Sequence, residues 1–203
     1  MAEIKSGASA DKLTIDPTSK AARVTLYDAR GNLMGQKATY AAAVTAKTAV
    51  FAGTAPFLAL YGSASKVIRV QRILVTATVA TAAVYGDLVV RLRTATISGG
   101  TKTDLTQVAT DQNNPAATAA ICGLYTAAPT AGTGGGPIAA MSAYCPITAT
   151  AALGPGFYDF DWRHRWETEA PVLRGTGQGV EVAFGTTPTN APTVVAAIWW
   201  TEE

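Results

Sequence analysis

The chain is short of the residues that carry most enzyme chemistry. Its 203 residues include one histidine, His164, and two cysteines, Cys122 and Cys145. A structural zinc site takes about four such ligands. The cysteines form no CxxC pair and His164 is distant from them in sequence, so the chain cannot build such a site alone. They are expected as two free buried thiols, with a disulfide as the alternative. Charge is also scarce: Lys, Arg, Asp and Glu make up 15% of the chain, and the net charge is +2. So weak a long-range field argues against nucleic acid as a partner. Unbroken apolar runs are missing as well. Thr48 to Ser65 is charge-free but broken by Gly53, Pro56 and Gly62. Gln112 to Tyr158 is charge-free but holds Pro115, Pro129, Pro137, Pro146 and Pro155. Neither is a membrane span. The first residues, MAEIKSGASADK, carry charges and lack the apolar core of about 7–15 residues of a secretory signal. The chain is therefore expected to be soluble.

What is present is alanine and threonine. There are 40 Ala and 29 Thr, about a third of the residues, within a chain that is 48% hydrophobic. That is enough to close a core. Each small side chain buries little area, so the core must lean on the few large residues. A chain this apolar and weakly charged is expected to bury part of its surface against other subunits. Residues 1–20, rich in Ser, Gly, Ala, Lys and Asp, are expected to form an extended N-terminal arm, broken by a short strand at Leu13–Ile15. Asp16-Pro17 marks a turn. One domain then spans residues 21–203. Deleting the arm should leave that domain's stability nearly unchanged and weaken attachment to a neighbouring protein.

The domain reads as short strands at period 2. Arg23–Tyr27 and Leu33–Met34 flank a turn at residues 28–32 and suggest a hairpin. Residues 38–50 are loop or strand. The run Lys66 to Val79 holds Ile68 and Val70 on one face, then Ile73, Val75, Ala77 and Val79 with the parity shifted by one residue. A flat strand forbids that shift, so a β-bulge is expected at Gln71–Arg72. Two separate strands with a break would also produce it. Ala83 to Thr94 follows, with Leu88, Val90 and Leu92 inward, and is expected to form a hairpin with the preceding run. Further strands are expected at Ala119–Thr126, Ile138–Ile147, Phe157–Trp162, Val172–Gly175, around Val180, Val182 and Phe184, and at Thr193–Thr201. The last has two apolar faces: Val194, Ala196, Ile198 and Trp200 against Val195, Ala197 and Trp199. Either it is covered on both sides or it packs against another subunit. Nine or ten short strands without helical periodicity predict an all-β, antiparallel β-sandwich, jelly-roll-like.

The densest polar cluster runs from Asp159 to Trp166. Asp159 and Asp161 would lie on one side of a strand, about 7 Å apart. Such a pair could work on a glycosidic bond, or hold a cation together with His164. A solvated strand face is the simpler expectation, with Tyr158, Phe160 and Trp162 in the core. Ser63-Ala64-Ser65-Lys66 and Ser9-Ala10-Asp11-Lys12 have S-x-x-K spacing but lack the companion elements of the serine hydrolases that use it. Gly134-Gly135-Gly136 lacks the Lys-Ser/Thr of a phosphate loop and is expected to be a flexible loop. Arg69, Arg72, Arg91 and Arg93 could form one basic patch across the central hairpin, available to an acidic neighbour if that face looks outward and ordinary solvated surface otherwise. With Trp199 and Trp200 they are the candidate partner-interface residues. No catalytic, cofactor-binding or metal-binding residue is assigned, and no cofactor is expected.

The stretch DKLTIDPTSKAARVTLYD (residues 11–28) looks like the N-terminal segment of many tailed-bacteriophage virion proteins. The runs YGSASKVIRVQRI (residues 61–73), DQNNPAATA (residues 111–119) and LRGT (residues 173–176), with the ending WTEE, are similar to Ala/Thr-rich structural proteins of those phages. The resemblance covers most of the chain. It implies a non-enzymatic virion protein, a capsid decoration (cement) or head-fibre subunit, with a tail or baseplate component as the alternative. It also implies assembly in the host cytoplasm, a homo-oligomer with a trimer favoured, and contact with other virion proteins such as the major capsid protein. From another class, the Asp159–Trp166 cluster suggests a carbohydrate-binding or glycan-hydrolysing module.

Overall fold

The structure, a computed structural model, describes residues 14–15, 22–23, 37–44, 46–80, 84–147, 156–163 and 170–203. The chain divides into two compact units, Met1–Lys37 and Ala38–Glu203. In the first, β1 (Thr14–Ile15) pairs antiparallel with β2 (Ala22–Arg23), Thr14 opposite Arg23. The expected hairpin around residues 28–32 and most of the expected arm lie outside the described residues.

The second unit contains β3 (Ala38–Ala43), β4 (Thr48–Ala49), β5 (Pro56–Tyr61), β6 (Val67–Thr78), β7 (Val84–Arg93), β8 (Thr101–Asp104) and β9 (Gln107–Ala109). It continues with β10 (Ile121–Ala127), β11 (Pro137–Cys145), β12 (Gly156–Asp161), β13 (Val172–Arg174), β14 (Gly179–Phe184) and β15 (Thr193–Glu202). All strand pairs are antiparallel, and they form two sheets packed together. One runs β12-β6-β15-β3-β9, with β13 continuing alongside β6 and β4 alongside β15. The other runs β11-β7-β14-β5-β10-β8. The strands β3, β5, β6, β7, β11, β12, β14 and β15, taken in chain order, alternate between the sheets except at β7–β11. That is the eight-strand, double-sheet order of a jelly roll. The segment between β7 and β11 is an insertion. It adds β10 and β8 to one sheet, and only residues 105–106 separate β8 from β9 on the edge of the other.

The core lies between the sheets, and period 2 fills it. Along β15, Val194, Ala196, Ile198 and Trp200 are buried while the alternate residues are half-buried. Along β6, Ile68, Val70, Ile73 and Val75 are all fully buried. The parity change is a bulge: Trp199 pairs with Arg72 and Trp200 with Val70, leaving Gln71 as the extra residue. The ladder to β15 continues on both sides. The neighbour on the opposite side of β6 changes at the same place, from β12 (to Arg72) to β13 (from Arg69). At this change Trp162 N–H donates to Gln71 O (2.9 Å) and Val70 N–H donates to Pro171 O (2.9 Å).

The expected strand pairing fails at one place. β6 and β7 form no hairpin, because they belong to different sheets. Each presents one apolar face to the shared core, so two strands facing each other across a sandwich show the same alternation as two paired strands. The pattern alone does not separate them. β5, with all six residues buried, was not anticipated, since a strand covered on both faces shows no alternation.

Candidate functional site

The outer faces of the two sheets differ. That of the β14-containing sheet is closed over β5, β14 and β10 by its own loops. Tyr61, Ala59, Ile97 and Tyr125 form a second small core there. Glu181 points away from the main core yet is 0% exposed. It accepts hydrogen bonds from Tyr61 Oη (2.6 Å), Gly132 N–H (3.0 Å) and Arg93 Nε (2.7 Å). Tyr61 Oη in turn accepts from Ile97 N–H (3.0 Å). Burial, then the bond to Glu181, pushes the Tyr61 hydroxyl well above the ordinary phenol range. The glycine-rich loop lies against this face and is no free loop. A Cβ on Gly132 would sit 2.0 Å from Ala95 O. Gly135, at φ +64°, would place one 1.9 Å from Leu92 O. Only glycine allows the backbone so close.

The outer face of the β15-containing sheet is open among the described residues. Strand pairing sets its rows. Asp161, Arg72, Trp199, Ala41 and Val108 form one; Asp159, Leu74, Ala197 and Ala43 form the next; Phe157, Thr76 and Val195 form a third. Phe157 is 60% exposed and Val108 53%. The charges along this face are neutralised within it. Arg72 donates to both oxygens of Asp159 (2.8 and 2.7 Å) while its guanidinium lies 5.4 Å from the centre of the Trp199 ring. Asp161 is bound by Arg163. The bond to Asp159 holds Arg72 yet more firmly protonated, and Asp161 does the same for Arg163.

The candidate residues therefore scatter. The basic patch does not exist: Arg69 and Arg72 lie on one sheet, Arg91 and Arg93 on the other. Arg69 pairs with Glu203 (2.6 Å) in a buried contact, Arg93 with Glu181, and Arg91 donates to Thr54 O (3.3 Å). Trp199 lies on the open face. Trp200 is fully buried, stacked on Tyr40 (5.9 Å between centroids), with Nε1 donating to Glu202 (3.0 Å). Asp159 and Asp161 share the open face as expected, but each is committed to an arginine. Tyr158, Phe160 and Trp162 are in the core. His164 and Trp166 lie outside the described residues. Cys122 and Cys145 are free and buried. A cleft of about 200 Å³ opens beside Val44, Thr48, Leu105 and Leu124; its one charged group, Asp104, is held by Lys102 (2.7 Å). The Glu181 network was missed, because a lone Glu between valines reads as a solvent-facing residue.

No protein-family model, curated protein or solved structure matches the chain. Strand order and site geometry alone define the class: an all-β jelly roll with one outer face partly covered by loops and one that is open, apolar and charge-neutral among the described residues.

Proposed function

We propose that this chain is a non-enzymatic structural subunit of a tailed-phage virion, a capsid decoration or head-fibre protein that assembles as a homo-oligomer, with a trimer favoured. The observation that carries this reading is the open outer face of the β15-containing sheet. Phe157, Leu74, Val195, Ala197, Trp199 and Val108 make it apolar, and internal ion pairs leave it without unmatched charge. An apolar sheet face that is half-buried at its centre and exposed at Phe157 and Val108 is suited to contact with another protein. Jelly rolls serve in viral capsids and in lectins, so the fold admits both and the site must choose. A sugar platform needs exposed aromatic rings beside available carboxylates. Phe157 and Trp199 lie on this face, but Asp159 is occupied by Arg72 and Asp161 by Arg163. That favours assembly over glycan chemistry. A density map of purified particles, with antibody labelling of the chain, tests the reading. The expected result is ordered copies on the head exterior. Absence from purified virions, with the protein found only in infected cells, overturns it.

A further inference from the structure

We infer that the outer edge of β11 docks a second copy of this chain, the two β11 strands pairing antiparallel across a two-fold axis. Among the described residues the two sheets have four edges, and three of these are guarded. β8 carries Lys102 and Asp104, with all four residues exposed. β9 has three residues. β12 carries Asp159 and Asp161. Charge and shortness are the usual means by which a protein keeps a sheet edge from pairing. β11 has neither: it runs nine residues, Pro137–Cys145, without a charge, and it is exposed at Ile138, Ala140, Met141 and Ser142, its far end being closed where Tyr158 Oη donates to Tyr144 O. Only Pro137, at its first position, removes a donor.

One side of β11 is laddered to β7 from Ala139 to Cys145. Met141 belongs to the core-facing row, directly opposite Leu88. Leu88 is 0% exposed and Met141 37%. The two differ because the sheet ends at β11, and one more strand would cover Met141.

The chemistry of the edge selects a copy of itself. An isologous contact needs a self-matching patch, and two identical antiparallel strands match by construction. A charge-free strand sets no like charges opposite each other. Ala140 and Ser142, on the row facing away from the core, are small enough to admit a strand at the usual spacing of about 4.8 Å. A partner recognised through charge finds none on this strand. β11 and the Trp199 face belong to different sheets, so this contact stands or falls separately from the virion reading. If both contacts form, trimers built through the open face become hexamers.

Light scattering and amide hydrogen exchange on the full chain test the inference. The purified protein should be an even-numbered oligomer with slow exchange at the outward-facing amides of Ala140 and Ser142. Ser142→Lys, at an exposed position, should halve the mass and speed exchange at those amides by about tenfold or more, with the far-ultraviolet spectrum unchanged. Trp199→Ala should leave the slow exchange in place. A monomer or plain trimer, or a mass indifferent to both Ser142→Lys and Ala140→Lys, overturns it. So does protection of these amides only in intact virions, which would give the edge to a different protein.

Discussion

Trp199 and Trp200 are neighbours with opposite fates. One residue of strand turns the first onto the open face beside Arg72 and the second into the core against Tyr40. Trp200→Ala should therefore cost about 3–5 kcal/mol of folding stability, read from chemical denaturation. Trp199→Ala removes a half-buried ring, so it should lower the unfolding midpoint much less and weaken self-association as well, read by light scattering over a dilution series. Equal losses of stability in both would contradict the assignment of Trp199 to the surface. A similar contrast exists across the bulge. Ile73→Ala removes a fully buried side chain and should cost about 2–5 kcal/mol. Arg72→Ala removes a half-exposed pair with Asp159 and should shift the midpoint far less.

Elements show how far the sequence can be read. The bulge in β6 was legible, because two apolar sets of opposite parity in one run leave few solutions, and the ladder at Trp199–Trp200 shows the one adopted. The alternation of β7, β12 and β15 was legible for the same reason. β5 was not: PFLALY has apolar residues at every position and follows a segment rich in Gly and Ala. The closure of the β14-containing sheet was hidden too. It depends on contacts between residues far apart in sequence, with Glu181 meeting Tyr61, Arg93 and the Gly132 amide. Glu181→Ala should strand Arg93 and the loop amide together and cost about 3–5 kcal/mol, as removing one partner of a buried ion pair does. Faster amide exchange at residues 130–134 should accompany the loss. A variant as stable as the parent, with that loop still protected, would show the network to be incidental.

At the scale of the molecule, the sequence conveyed the class of fold and not its pairing. The open face was half legible: two apolar faces on β15 implied either cover or a partner, and the structure leaves one face without cover among the described residues. The same burial that closes the core also sets how the protein responds to base. Burial pushes the Cys122 thiol up to about 12 and raises Cys145. It pushes Tyr158 up to about 12 and raises Tyr40, Tyr61 and Tyr125. All six groups are neutral acids whose folded values exceed their unfolded ones, near 9.0 for cysteine and 10.0 for tyrosine. Folding therefore favours the protonated form of each. That contribution is fully present below about pH 9 and is lost as pH climbs through the folded values. The denaturation midpoint should accordingly hold steady from pH 7 to 9 and fall steeply between pH 9 and 12. Cys122→Ala should lessen the early part of the fall, and Tyr158→Phe the later part. A midpoint that stays flat to pH 12 would mean that these groups reach water without unfolding, and that the two sheets are less tightly closed than their buried residues require.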